Sequence, residues 1–571
     1  MERIVESLLL LSIPALILVH LAVAPYTKVE ESFHIQAVHD ILSYGIPTEN
    51  VTQYLQSHYD HFSFPGAVPR TFIGAVVLAG ISRPVAWLNS NVDRQVLARA
   101  ILGLFNGVAL LSYATAVRRA FGRSTSIWYL AFQASQFHVI YYASRTLSNM
   151  FAFGISTLAM RLLLPEPIPR ETYKKRCCLS LFLLTVAGIV FRSEIALLLA
   201  AHTLFLLFTK RIGIQREIIP AGIAGLLVGL TSTILVDSFF WQQFPLWPEF
   251  AAFKFNVISG QASAWGTNPW HFYFLNAGPR LLLNPFTYLV GIPLSLIYPS
   301  TRFASLQLLV PSLVFVAVYS IQPHKEWRFI VYIIPPLTAS SALGASYIWT
   351  HRTKSLIYRL LSLCMILSTI AAFSLSSFVL LPASAANYPG AHALRLLHHS
   401  HAHNSSQPEI SVYLGNLACQ TGVTRFVQIP SSSIAVEGHF PTSSDGNSSI
   451  WKYDKTEDEH TKSSASFWEK FDYALVEPGS DDEKSLATSD SPWEDADVVR
   501  GFAGVTVLRP NHTDDEKEHG QVEEKIVETV FGSGGLRAWK VGGGFIRRAL
   551  TRGWWVDVRM EPKIKIMRRV H

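Results

Sequence analysis

The chain has 571 residues, of which 49% are hydrophobic and 16% charged, with a formal net charge of +7. Soluble domains carry about 25% charged residues, so an ordinary soluble enzyme of this length is excluded. The average hides a split: residues 1–381 hold 15 acidic and 27 basic residues, while 382–571 hold 26 and 21. The excess base lies beside apolar segments, where membrane topology accounts for it, and no nucleic-acid partner is implied.

Apolar stretches able to span about 30 Å of hydrocarbon as helix are predicted at 4–24, 97–117, 125–142, 146–164, 179–191, 194–209, 217–240, 281–298, 304–321, 328–348 and 355–381. The first is read as an uncleaved anchor, because Pro25 follows Ala22-Val23-Ala24. A further stretch, 71–90, carries Gly74, Gly80 and Pro84 and is read as re-entrant or shallow. The expected fold is an all-α polytopic membrane body over 1–381, of about 11 transmembrane helices, with a large first loop at 25–96. A smaller soluble α/β tail follows over 382–571.

Four basic loops fix the orientation. They hold Arg118, Arg119 and Arg123; Lys174, Lys175 and Arg176; Lys210, Arg211 and Arg216; and His351, Arg352, Lys354 and Arg359. Alternating spans put all four on one side, read as cytosolic. The tail and the sequons at Asn50, Asn404, Asn447 and Asn511 then fall on the other. Cys177, Cys178, Cys364 and Cys419 give no disulfide framework. The Cys177-Cys178 pair suits lipidation at the membrane edge or is inert.

Polar residues inside such a body are informative because a bilayer disfavours them. Glu30 and Glu31 follow the first span. The spacing of Val29, Phe33, Ala37 and Ile41 predicts an amphipathic helix whose wet side holds Glu30, His34 and Asp40. The two acids serve either as helix-start charges or as a general base toward a hydroxyl, with perturbed proton affinity beside a low-dielectric slab. Asp60, His61 and Arg70 add polar groups to the first loop. Arg145 and Asn149 lie in Ser144-Arg-Thr-Leu-Ser-Asn149, and Arg192 and Glu194 tip a hairpin, as an ion pair or as cavity lining. Trp265 and Arg280 belong to a ring-rich segment that suits either an interfacial belt or a saccharide groove. His324, Lys325, Glu326 and Arg328 interrupt two spans. They form either a hydrophilic loop or a phosphate site, with Glu326 orienting the cations.

No Walker loop, dinucleotide fingerprint or HExxH occurs in a credible context, and Gly542-Gly-Gly is read as a flexible turn. Strands are predicted within 409–429, 471–477 and 498–508, and mobile acidic linkers at 440–466 and 478–497. His392, His398, His399, His401 and His403 are read as a polar linker rather than a zinc site. Eight Lys/Arg in the last 25 residues suit a membrane-surface patch or, at Arg568-Arg569, a retrieval signal on a cytosolic terminus.

Several runs resemble one family. Thr27-Lys-Val-Glu-Glu-Ser-Phe33, Tyr59-Asp-His through Pro69-Arg-Thr-Phe72, Ser144-Arg-Thr, Trp265-Gly-Thr and His324-Lys-Glu-Trp-Arg-Phe329 are similar to the lipid-phosphate-mannose-dependent mannosyltransferases of the endoplasmic reticulum, polytopic enzymes of the GT-C class. Lys28 to Phe33, Gln420-Thr-Gly-Val-x-Arg-Phe426 and Trp451-Lys-Tyr-Asp-Lys455 resemble most the branch that adds an α-1,6-mannose to the lipid-linked N-glycan precursor. The likeness spans about 25–508 and is absent beyond about 510.

The resemblance implies an inverting transfer from dolichyl-phosphate-mannose to a lipid-linked oligosaccharide, at a lumen-facing site of the endoplasmic reticulum membrane. It implies Glu30 or Glu31 as base and His324, Lys325 and Arg328 on the donor phosphate. Glu326, Arg192, Glu194, Arg145, Asn149, Asp60, His61, Arg70, Trp265 and Arg280 support substrate, and neither cofactor nor metal is required. The rival readings are a relative acting on a glycosylphosphatidylinositol precursor and, from another class, a lipid or solute transporter.

Overall fold

The structure is a computed structural model, and it describes residues 2–402, 409–429, 450–489, 491–510, 520–549 and 551–570. The chain is mostly helical, with one small sheet near its C-terminus. Among the described residues six helices are long and apolar enough to cross a membrane: Glu2–Val23, Arg94–Phe121, Ile214–Trp241, Pro299–Tyr319, Trp327–His351 and Leu356–Ala385. A seventh span is possible in composition but bent, Tyr273–Leu282 and Thr287–Ile297 meeting at 116°. The bend falls at buried Asn284, whose side chain binds Ser368 Oγ, Thr369 Oγ1 and the Phe286 amide. The predicted span 281–298 is therefore broken, with its exposed backbone groups met by neighbouring side chains. The other predicted spans are helices too short or too polar for that measure, such as Ser148–Leu162 and Ile195–Phe208.

Residues 71–90 form one helix, Ile73–Leu88, which runs through Gly80 and Pro84. At 1.5 Å per residue its 16 residues reach about 24 Å, short of the hydrocarbon thickness.

The chain divides into two compact units. The first comprises Met1–His20, Asn50–Leu78 and Arg99–Ser377. Its central helix is Trp327–His351, 89% buried across its apolar window. Close helix approach rests on small residues: a Cβ on Gly225 or Gly229 meets Thr185 or Ile189 at 2.6 Å or 3.0 Å. One end of this unit gathers basic loops around two acids. Glu6 pairs with Arg118 and Arg123, and Glu166 with Arg119 and Arg176. Cys177 is wholly buried against Leu181 and Leu206, which removes it as a lipidation site.

The second unit comprises Leu21–Glu49, Ala79–Ala98 and Phe378–His571. Its sheet has strands β1 (Glu409–Leu414), β2 (Ile450–Asp454), β3 (Tyr473–Val476), β4 (Trp493–Leu508) and β5 (Trp555–Arg569), in the order β2-β1-β3-β5-β4. β1 runs parallel to β2 and β3, and β5 runs antiparallel to β3 and β4. Strand alternation sorts the core. Ile410, Val412 and Leu414 meet Leu394 and Leu397 of helix Pro389–Ala402 on one face, and Tyr413 meets Phe467, Trp468 and Phe471 on the other.

Three expectations for the tail are corrected here. The end of the basic stretch is no free surface patch: β5 lies inside the sheet, with Lys565 on Glu483 and Asp495, Arg568 on Glu494 and Arg569 on Asp472, whereas Arg547, Arg548 and Arg552 precede it. The acids of 478–497 are thus ordered by opposite charge, in helix Asp481–Ala487 and in β4. Helix Pro389–Ala402 is no polar linker. Its His392 packs edge-on to Tyr26 and its His398 bonds the Tyr453 hydroxyl at 2.8 Å, and burial pushes both imidazoles down to about 4. His403, residues 440–449 of the predicted linker, and the sequons at Asn404, Asn447 and Asn511 lie outside the described residues, whereas Asn50 is exposed.

Candidate functional site

In the first unit, segments far apart in sequence converge on one polar cluster. Glu194, at the start of helix Ile195–Phe208, puts a single carboxylate oxygen before three donors. These are Arg192 Nε at 2.9 Å, Asn149 Nδ2 at 3.1 Å and the Tyr332 hydroxyl at 3.0 Å. Asn149 also donates to the Tyr332 oxygen at 2.9 Å. Glu249 accepts the Ser193 amide at 2.7 Å, and burial raises its carboxyl well above the usual range, opposed by the nearby Arg192 guanidinium. Arg192 also lies over the Phe329 ring, 5.1 Å from its centroid.

Phe329 belongs to the His324–Phe329 run. Glu326 holds both neighbours, with Arg328 at 2.7 Å and His324 Nε2 at 3.1 Å. The other His324 nitrogen faces the Gly266 carbonyl at 3.1 Å. Both ring nitrogens thus lie against oxygen atoms. Lys325 turns the other way. Its ammonium is buried and donates to the carbonyls of Gln322 at 2.6 Å, Asn268 at 2.9 Å and Pro323 at 3.4 Å. Asn268 answers through its own amide to Pro323 O and its Nδ2 to Lys325 O. The Trp265–Asn268 and Gln322–Phe329 loops are therefore clasped together. Burial lowers the Lys325 ammonium below its ordinary value. Trp327 packs on Tyr142 and His138, which ties in the segment before Arg145.

The remaining first-unit residues lie in other settings. Arg145 is buried with its guanidinium on Tyr141. Trp265 and Arg280 are exposed. Asp60 and His61 are buried, His61 against the Phe240 carbonyl at 2.9 Å. The Arg70 carbonyl accepts from Trp241, and next to it Thr71 and the Phe72 amide bond Asp237 at 3.2 Å and 2.6 Å. That group pins residues 70–72 to helix Ile219–Trp241.

Glu30 and Glu31 belong to the second unit. They sit in a 3-10 turn, Val29–Glu31, ahead of helix Ser32–Tyr44. The predicted division into an apolar and a wet face does not hold: Ala37 and Ile41 are buried, but so are His34 and Asp40, while Val29 is 48% exposed and Glu31 only 2%; Glu30 is exposed. The tail supplies the reason: Arg425 pairs with Asp40 at 2.8 Å, its amide donates to Gln36 at 3.1 Å, and Phe426 packs on His39. Thr424 donates to Gln95, which in turn holds the Pro25 carbonyl. Glu31 accepts the Lys28 amide at 3.0 Å. Thus Gln420–Phe426 packs on the segment that carries the acid pair.

Sequence reasoning missed Glu249, Tyr332, Asp237 and Asn268, and carried Arg425 only as part of the Gln420–Phe426 run, with no role. An acid inside or beside an apolar span is itself a signal and was available for Asp237 and Glu249. Tyr332 and Asn268 carry none.

The model of the Alg9-like mannosyltransferase family matches residues 9–428. The Dol-P-Man:Man(7)GlcNAc(2)-PP-Dol alpha-1,6-mannosyltransferase of Saccharomyces cerevisiae is 32% identical over 516 residues, covering 85% of this chain and 86% of its own. The protein of the same name in Arabidopsis thaliana is 34% identical over 501 residues, 86% of this chain and 90% of its own. Among solved structures, ArnT from Cupriavidus metallidurans bound to undecaprenyl phosphate aligns with a TM-score of 0.54 at 15% identity, over 86% of this chain and 95% of that one. That last likeness is one of fold.

Proposed function

This chain belongs to the Alg9-like mannosyltransferase family, and we propose on that premise that it transfers one mannose from dolichyl-phosphate-mannose to a mannose 6-hydroxyl of a lipid-linked oligosaccharide. The product is an α-1,6 linkage in the N-glycan precursor. One observation carries the acceptor and linkage: relatives named for that reaction match along most of both chains, whereas members acting on glycosylphosphatidylinositol are only distant. Membership of a transferase family also displaces the transporter reading.

The reaction is a single displacement. The acceptor oxygen attacks the anomeric carbon, the bond from that carbon to the phosphate oxygen breaks, and dolichyl phosphate leaves. A primary hydroxyl is a poor nucleophile, so a carboxylate takes its proton as the new bond forms. Glu30 or Glu31 is assigned that proton, from their place in the family's first-loop motif. Stabilising charge on the leaving phosphate is the other requirement. Arg328 suits it, because Glu326 takes its Nε and Nη2 and the other guanidinium N–H groups stay usable, and His324 is held beside it on the same carboxylate. Lys325 enters as a positioning residue that holds the two loops together. The scheme is written without a metal or cofactor. The site is assigned to the luminal face of the endoplasmic reticulum membrane. Its support is that the polar loops and the basic loops alternate along the chain.

The test is to incubate the purified protein with polyprenyl-phosphate-mannose and defined lipid-linked glycans, then map the new bond. An α-1,6-mannose on the lipid-linked glycan is expected. No transfer, or an α-1,2 product, overturns the reading.

A further inference from the structure

Residues beyond about 510 lie outside both the family match and the chemistry above, yet they build a defined element. Gln521–Ala549 is two helical arms joined at Gly532, whose φ of 66° breaks the helix. The arms fold back on each other. Glu524 and Lys540 stand 2.9 Å apart, although sixteen residues of straight helix span about 24 Å. The first arm is tied to β5, with Trp555 donating to Glu523 and Gly520 to Asp557. Gly542–Gly544, expected as a flexible turn, lie inside the second arm.

The second arm is an improbable helix for water. Gly534, Gly535, Gly542, Gly543 and Gly544 each weaken it by about 1 kcal/mol relative to alanine. Helices of this length owe their stability to packing of one face. Yet Val541 is 77% and Phe545 67% exposed, and Phe531 at the turn is 71% exposed. Helical spacing aligns Arg537, Val541 and Phe545 in one row, with Arg548 beside them. Among the described residues Arg537, Arg547, Arg548 and Arg552 make no ion pair, while Trp554 adds another exposed ring. An apolar stripe flanked by cations and aromatic rings is the signature of a helix lying in a membrane interface.

The depth of this arm is fixed by one contact. Trp539 stacks on Phe378, with centroids 6.0 Å apart and planes at 11°. Phe378 lies in the apolar helix Leu356–Ala385, about 33 Å along it from Leu356, where a hydrocarbon layer of about 30 Å ends. A helix is about 10 Å across, so the outer face of the arm is within one helix width of Phe378, at headgroup depth.

We propose that the second arm of this hairpin lies in the bilayer interface at the level of Phe378, with Val541 and Phe545 against the acyl boundary and Arg537 and Arg548 on anionic lipid headgroups. The transferase reading is not needed for this. The test uses the full-length protein in nanodiscs of phosphatidylcholine, with or without phosphatidylserine. 4-Benzoylphenylalanine replaces Phe545 or, as a control, Lys484 on the exposed helix Asp481–Ala487. Photolysis is expected to give phospholipid adducts at 545 and not at 484. Phosphatidylserine is expected to raise their yield, and Arg537→Gln or Arg548→Gln to lower it about fivefold per cation removed. Adducts to a second copy of the chain, or none, overturn the placement. Equal yields in both lipid compositions overturn the headgroup assignment.

Discussion

Tyr332 donates a hydrogen bond to Glu194 from 138 residues further along the chain, at 3.0 Å. The same carboxylate oxygen also receives Arg192 and Asn149. Removing one partner of such a buried pair leaves a charge in low dielectric at a cost of about 3–5 kcal/mol. Glu194→Met or Arg192→Met alone is therefore expected to lower the thermal midpoint sharply, and the two together to restore much of the loss. Tyr332→Phe deletes one hydrogen bond to a charged group, worth about 1.5–3 kcal/mol. Thermal unfolding in nanodiscs of the two single variants and the double variant checks this. Additive losses in the double variant speak against the pairing.

Lys325 and Arg328 are three positions apart in one charged loop but differ in what they hold. Lys325→Ala unfastens the carbonyls of Asn268 and Gln322 and is expected to lower both thermal stability and donor use. Arg328→Lys keeps the charge but loses the planar fork on Glu326. It is expected to reduce kcat by tenfold or about one order more, with the thermal midpoint nearly unchanged. Kinetics with purified donor, alongside melting curves, separate the two. Equal stability loss in both variants removes the distinction.

The acid pair divides by burial. Glu30 is exposed, whereas Glu31 is buried and caps the Lys28 amide. Glu30→Gln is expected to fold normally. Glu31→Gln keeps an oxygen acceptor for that amide and is expected to lose little stability. One of the two variants is expected to abolish turnover, because an amide cannot take the acceptor's proton. If both turn over at the normal rate, neither acid is the base.

The chemistry-bearing loops were legible because a bilayer makes polar residues conspicuous. Arg192, Glu194, Asn149 and the His324–Arg328 run stood out against apolar flanks, and the structure brings them together. The facing of helix Ser32–Tyr44 was not legible. Its four-residue apolar spacing is real, but Asp40 is buried by an arginine 385 positions away, a contact with no local signature. The tail failed for the same reason. Its basic last strand and the acids of 481–495 read separately as a patch and a linker, and only the pairing of β4 with β5 makes them complementary.

Asp40 and Arg425 test the tail's part directly. The Asp40 carboxylate is buried and depends on Arg425 and His39. Arg425→Ala is expected to cost about 3–5 kcal/mol and to loosen residues 27–44. Hydrogen exchange of helix Ser32–Tyr44 is the measurement. Protection equal to the parent chain shows that the tail motif does not hold this segment.

Glu523 makes the hairpin sensitive to pH. Burial holds its carboxyl up to about 7, from an ordinary 4.5, against the opposing Trp555 hydrogen bond. A raised folded-state value means that the folded chain favours the protonated acid. The associated stability is complete below 4.5 and is lost as pH rises through 7. Glu523→Gln mimics the neutral acid at every pH. Its advantage over the parent in hydrogen-exchange protection of residues 521–531 is expected to be near zero below pH 4.5. It is then expected to grow across the interval and level off above pH 7. A difference that does not change with pH shows that Glu523 ionises alike in the folded and unfolded chain.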